Sequence, residues 1–137
     1  HIGMFRNCAV KPNRHELSGA LATSEDSLAS IEQLTAGARD LCRRVGGPVF
    51  ATCGPEGIVY VDAEHEARVP GVRVDGPIDI VGAGDSTTAG IVSALCCGAT
   101  PAQAAQLGCL VASITIQQLG VTGTASPAQV REQFRRV

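Results

Sequence analysis

The chain has 137 residues, 45% of them apolar, with no Trp, one Tyr and three Phe. That is one domain or a large piece of one, with a core of Ala, Val, Leu and Ile as found where helices pack on a sheet. A formal net charge of −2 speaks against a nucleic-acid partner, whose phosphates select basic surfaces, and no apolar run reaches the length of a membrane span.

The opening, His1-Ile2-Gly3-Met4, has no signal-peptide pattern and reads as a tag remnant or a cut inside a longer protein. Phe5 to Lys11 reads as a short strand, stopped by Pro12-Asn13, and Asn13 to Leu21 as a helix. After a polar loop, Thr23 to Ser27, a longer helix places Leu28, Ile31, Leu34, Ala38, Leu41 and Val45 on one stripe. Gly46-Gly47-Pro48 ends it.

Pro48 to Thr52 is short and mostly apolar, as expected of a buried parallel strand. Gly54 to Gly57 is a turn, and Ile58 to Asp62 and Glu64 to Val69 read as two strands joined at Asp62-Ala63. After a loop, Gly82 to Cys97 reads as a glycine-led helix with Thr88, Ile91, Val92 and Leu95 on its apolar face. Thr100-Pro101-Ala102-Gln103 is a capping box with Pro at the first helical position. The helix after it packs Leu107, Leu110, Val111 and Ile114, and Gly120 ends it; Ser126-Pro127-Ala128-Gln129 caps a last short helix. The order is strand, two helices, three strands, three helices. This is α/β, with too few strands for a complete doubly wound sheet, so more of the sheet is expected upstream of His1.

The six cysteines (Cys8, Cys42, Cys53, Cys96, Cys97 and Cys109) form no Cys-x-x-Cys pair and have no His at ligand spacing. They are expected as small buried residues of a reduced, cytoplasmic protein, outside any zinc site or disulfide framework. Arg43-Arg44 and Arg135-Arg136 fall near predicted helix ends, where positive charge complements the helix dipole.

Three stretches carry chemistry. In Asp79-Ile80-Val81-Gly82-Ala83-Gly84-Asp85, glycines open a helix and let backbone N–H groups face an anion. Asp85 in the first turn is then placed to take a proton from an attacking hydroxyl. The same residues also suit a tight turn with Asp completing a helix N-terminus. Thr52-Cys53-Gly54-Pro55-Glu56-Gly57 offers a hydroxyl and open backbone to a second phosphate region, or an ordinary hairpin turn. Asn13 and Glu16, three apart on one helix face, can address one hydrated Mg²⁺, form a helix cap, or do both.

In this order, Asn-x-x-Glu, Thr-x-Gly-x-x-Gly and Asp-x-x-Gly-Ala-Gly-Asp, the sequence resembles the ribokinase-like (PfkB) carbohydrate kinases, over nearly its whole length. The resemblance implies a three-layer α/β/α fold, of which residues 1–137 are the C-terminal nucleotide-binding and catalytic part, with the N-terminal sugar-binding and lid half absent. It implies Asp85 as base, with Gly82, Ala83 and Gly84 as anion hole. Thr52, Gly54 and Gly57 would contact ATP phosphates, and Gly120 would lie near the adenine. Asn13 and Glu16 would hold Mg²⁺ through water, and Asp79 would help bind a monovalent cation such as K⁺. The stretch Gln118 to Pro127 resembles the heptose-phosphate kinase branch. Ile80 departs from the family's usual Thr, Val, Pro or Ser, and Thr87 from its frequent Phe.

The expected activity is ATP-dependent phosphorylation of a sugar or sugar phosphate, by a protein of which these 137 residues alone are inactive. The expected partners are that small molecule and the missing half, with no nucleic acid and no membrane. A homodimer is compatible with the sequence, which does not name the sugar. A non-catalytic nucleotide-binding module, or half of a split enzyme, shares every motif and differs only in having no use for Asp85. A dinucleotide-binding oxidoreductase fits worst, because Gly82-Ala83-Gly84 is followed by Asp85-Ser86-Thr87 and the third Gly is missing.

Overall fold

The computed structural model describes residues 2–137; His1, the first residue of the unusual opening, lies outside them. The chain divides after Val69 into two compact units.

In the first unit, α1 (Arg14–Leu21) and α2 (Ile31–Val45) precede three strands, β1 (Val49–Thr52), β2 (Ile58–Val61) and β3 (Glu66–Val69). The sheet order is β1-β2-β3, antiparallel throughout, with Phe50 opposite Tyr60 and Tyr60 opposite Ala67. Alternation sends Val49, Ala51, Val59 and Val61 to the face that packs with Leu17, Leu34, Ala38, Leu41 and Val45. Burying each of these larger aliphatic side chains contributes about 1.5–3 kcal/mol. The other face carries Phe50, Ile58 and Tyr60, which are also buried, with the Phe50 and Tyr60 rings 4.9 Å apart.

The strand expected at Phe5 to Lys11 is reduced to two parallel bridges, Val10 with Val49 and Asn13 with Thr52. The Val10 amide donates to Pro48, Phe50 donates back to Val10, and Thr52 donates to Pro12. The next ladder bond would need an N–H from Pro12, which has none. Upstream, Asn7 turns left-handed at φ 53°, which ends the extended segment. The parallel pairing expected of Pro48 to Thr52 is therefore present only along this edge, and its full ladder is antiparallel.

The stripe expected from Leu28 is also broken. Glu25–Leu28 is a 3₁₀ turn, and α2 starts anew after Ser30, whose hydroxyl and Gln33 form a capping box. Gly46 ends α2 in the left-handed conformation, φ 67°, with its amide on Cys42. Arg43 pairs with Asp40 on the same helix and Arg44 donates to the Ala20 carbonyl.

The second unit holds α3 (Ala83–Cys96), α4 (Pro101–Thr115) and α5 (Pro127–Phe134). Both expected capping boxes, Thr100 with Gln103 and Ser126 with Gln129, are formed with Pro at the first position. Helix α4 ends at Thr115, before Gly120. The buried face of α3 is Thr87, Gly90, Ile91 and Ala94, while Thr88, Val92 and Leu95 are exposed. The face is set by small residues: a Cβ on Gly90 would lie 3.0 Å from the Gly108 Cα, so α3 and α4 meet backbone to backbone.

Cys42, Cys53 and Cys109 are buried as expected, but Cys8, Cys96 and Cys97 are exposed. Cys96 and Cys97 sit at the exposed C-terminal end of α3, as its last residue and its C-cap. Among the described residues no helix is long and apolar enough to cross a membrane.

Candidate functional site

The residues singled out by sequence gather in two groups, one in each unit. In the first, the parallel bridge between Asn13 and Thr52 joins the Asn-x-x-Glu motif to the Thr-x-Gly-x-x-Gly motif. Asn13 caps α1: its Oδ1 accepts from the Glu16 amide at 2.7 Å, and the Glu16 carboxylate accepts from the Asn13 amide at 2.8 Å. The capping-box reading is thus formed in full. It uses one carboxylate oxygen of Glu16 and leaves the other unengaged on an exposed side chain.

Thr52 ends β1, with its Oγ1 3.4 Å from the Pro12 carbonyl. Gly54 and Gly57 are both left-handed, φ 57° and 100°, and Gly54–Glu56 is a single 3₁₀ turn between β1 and β2. Cys53 donates to Gly57 and Gly57 to Gly54, whereas the Gly54 amide has no acceptor among the described residues. Arg14 and Glu56, one from each motif, pair at 3.1 Å. Neither was singled out by sequence; their opposite charges inside adjoining motifs were the available signal.

In the second unit Gly82 is the N-cap of α3, left-handed at φ 80° and without a side-chain cap. The Ala83 amide donates to Ile80 at 3.1 Å and Ser86 to Gly82 at 3.0 Å. The amides of Gly82, Gly84 and Asp85 have no acceptor among the described residues. Of the expected anion-hole trio, Ala83 is therefore already engaged, and Asp85 supplies the further free donor. The Asp85 side chain is exposed and makes no hydrogen bond or ion pair among the described residues. Thr87 and Thr88 turn their hydroxyls back onto Ala83 and Gly84 carbonyls.

Asp79 braces this loop. Its carboxylate accepts from the Val81 amide and from the Gly120 amide, each at 3.0 Å, and these two donors hold its pKa below the ordinary value. Gly120, left-handed at φ 71°, is thereby tied to the segment entering α3.

A cleft of about 810 Å³ lies elsewhere, lined by Arg39, Cys42, Pro48, Asp62 and His65. It opens at the start of β1, the end opposite Thr52, and contains none of the motif residues. Sequence reasoning also passed over the Tyr60 hydroxyl, which donates to Asp62 at 2.6 Å. Asp62 follows the end of β2 two residues after Tyr60, the spacing at which side chains of an extended chain share a side, and that spacing was legible.

The fold these elements trace is that of the ribokinase-like kinases. The chain superposes on *Escherichia coli* phosphofructokinase-2, in a structure with potassium, with TM-score 0.83 at 23% identity, covering 98% of this chain and 42% of that one. For a ribokinase from *Thermotoga maritima* the TM-score is 0.78 at 21% identity, covering 93% and 42%. Residues 8–129 match the family described as "pfkB family carbohydrate kinase", and the chain belongs to that family. Among curated relatives, the bifunctional protein HldE of *Gluconacetobacter diazotrophicus* is 31% identical over 121 residues, 88% of this chain and 24% of that protein. The 1-phosphofructokinase of *Haloferax volcanii* is 32% identical over 121 residues, 85% and 36%. The chain thus spans 24% to 42% of the length of these proteins.

Proposed function

We propose that the chain is the nucleotide-binding and catalytic part of an ATP-dependent kinase acting on a hydroxyl of a sugar or sugar phosphate. In this reading both units belong to one ribokinase-like domain. The observation that carries it is the start of α3: three unengaged amides at Gly82, Gly84 and Asp85, beside a carboxylate that nothing among the described residues uses.

Free amides at a helix N-terminus attract an anion, and here they would face the transferring phosphoryl group. Asp85 would accept the proton of the attacking hydroxyl and hold it in line. Thr52, Gly54 and Gly57 would contact the ATP phosphates, the Gly54 amide being free to do so. Gly120 would lie at the adenine end. Asn13 and Glu16 offer the hard oxygens that suit Mg²⁺, reached through water because the cap keeps their inner atoms occupied. Bound Mg²⁺ would screen charge on the phosphates. Asp79 would help hold a monovalent cation such as K⁺ with the lone pairs its two amide donors leave over. The acceptor pocket comes from sequence outside these residues, so the 137-residue chain alone does not turn over sugar.

The test is phosphate transfer from ATP to a panel of hexoses, hexose phosphates and heptose phosphates. It uses the polypeptide in which these residues are joined to an acceptor-binding half, with Asp85 or with Asn in its place. Asp85→Asn should lower kcat by roughly a hundredfold to ten-thousandfold while nucleotide affinity holds. Near-normal kcat in Asp85→Asn would remove the residue from catalysis and leave it a helix-terminus role. Nucleotide binding without transfer to any acceptor would favour a binding module.

A further inference from the structure

We infer that Arg14 is a ligand for the polyphosphate of the nucleotide, held in readiness by Glu56, which stands in for the phosphate. The inference rests on the nucleotide reading above and assigns a residue that the family motifs leave blank.

Arg14 opens α1, between Asn13 and Glu16. Its side chain is 30% exposed, its Nη2 reaches Glu56 Oε2 at 3.1 Å, and its Nε is buried with no acceptor among the described residues. A guanidinium carries five N–H donors in a fixed fork. This one is partly withdrawn from water, with its Nε buried, and among the described residues one carboxylate oxygen is the only acceptor found for it. A buried donor without a partner is costly, and an anion bound here would supply one.

The surroundings supply the rest of an anion site. Glu56 belongs to the Gly54–Glu56 turn, and the Gly54 amide in that turn is also without an acceptor. The Arg14 charge acts on this turn: burial pushes the Cys53 thiol up, and Arg14 is the strongest influence pulling it back. A planar fork paired to a turn that carries a free backbone N–H suits the several oxygens of a phosphate better than a single carboxylate oxygen.

Glu56 is suited to be displaced. The pair is 30% and 46% exposed, so solvent screens it and it is weak. A phosphate brings more charge and more acceptors. Exchanging Glu56 for phosphate lets the guanidinium turn and gives the Nε a partner. Glu56 then acts as an internal competitor, and the two members of one ion pair influence binding in opposite directions.

That opposition is the test. Affinities for Mg·ATP and for inorganic tripolyphosphate are measured by calorimetry on the chain and on Arg14→Ala, Arg14→Lys and Glu56→Gln, with thermal unfolding of each. Arg14→Ala should weaken both ligands by about tenfold to a hundredfold. Arg14→Lys should fall between, keeping charge without the fork. Glu56→Gln should bind about two- to fivefold tighter. If Glu56→Gln binds as weakly as Arg14→Ala, the pair is only a strut joining α1 to the turn, and the inference is overturned. Equal affinities throughout overturn it as well. Should Arg14→Ala fail to fold, the sign of the Glu56→Gln change decides alone, because that variant keeps Arg14. A parent chain that binds neither ligand sinks the nucleotide reading itself, which is a different result from binding that ignores Arg14.

Discussion

The carboxylate of Asp79 accepts the amide of Gly120, 41 residues further on, at 3.0 Å. With its other oxygen on Val81, one side chain fixes both the entry to α3 and the turn beyond α4. Asp79→Ala removes both acceptors. Amide exchange at Gly120 and Val81 should speed up on the order of tenfold or more while amides inside α4 keep their protection. Unchanged exchange at Gly120 would mean that the turn holds itself. Asp79→Asn should rescue only partly, since its NH₂ would meet one of the two donors.

Gly82 and Gly84 stand two apart and are glycine for different reasons. Gly82 is left-handed, and a Cβ there would meet Thr122 at 3.3 Å, so Gly82→Ala should cost about 1–2 kcal/mol. Gly84 is within α3 and not left-handed. Gly84→Ala should therefore keep stability or raise it by up to about 1 kcal/mol. Its nucleotide affinity should fall all the same, because the new methyl crowds the free amides. Denaturant titration beside ATP binding separates the two effects, and normal affinity in Gly84→Ala would argue against close phosphate approach.

Tyr60 and Asp62 give the fold a two-sided pH response. The Tyr60 hydroxyl and the amides of Glu64 and His65 hold Asp62 down to about 2, from an ordinary 3.8. The unfolded chain takes up this proton first, so the contribution is complete above about pH 4 and fades as pH falls toward 2. Burial and the Asp62 bond raise Tyr60 well above 10.0, so its contribution fades as pH climbs beyond 10. Tyr60→Phe should flatten the alkaline arm and soften the acid arm of a stability-versus-pH curve. An alkaline arm unchanged in Tyr60→Phe would assign it to another group.

Gly47 lies where the chain before α1 crosses the end of α2. A Cβ there would sit 2.2 Å from the Cys8 carbonyl oxygen. Gly47→Ala should push this segment off the sheet edge and cost about 1–3 kcal/mol, read by thermal unfolding. Trypsin should then cut after Arg6 sooner than in the parent chain. A neutral result would show that the segment yields freely.

Helix existence was legible in residues that act locally. Asn13, Thr100 and Ser126, each with its partner three residues on, announced helix starts that the structure places within a residue. What failed depended on partners elsewhere in the chain. Phe5 to Lys11 had strand composition, but Pro12 lacked the one N–H its ladder required. Val92 and Leu95 looked like a core face by hydropathy, yet Gly90 and Ala94 face α4, because closeness between backbones outweighs side-chain apolarity there. The candidate site divides in the same way. Asp85 and its glycines stood out as a run in sequence. Arg14 and Glu56 are 42 residues apart, and only the folded chain makes them a pair.

The contact between Gly90 and Gly108 has a mechanical side. Five residues, about 7.5 Å of helix at 1.5 Å per residue, separate Gly90 from Asp85. With no side chain between them, the two backbones form a stiff fulcrum, and α3 is the lever arm that ends at the free amides. A spacer of one methyl at the fulcrum would swing the far end by a comparable distance, enough to misalign a carboxylate with a hydroxyl. In the mechanism proposed above, the aim of Asp85 is thus set by the absence of atoms at a site with no chemistry of its own.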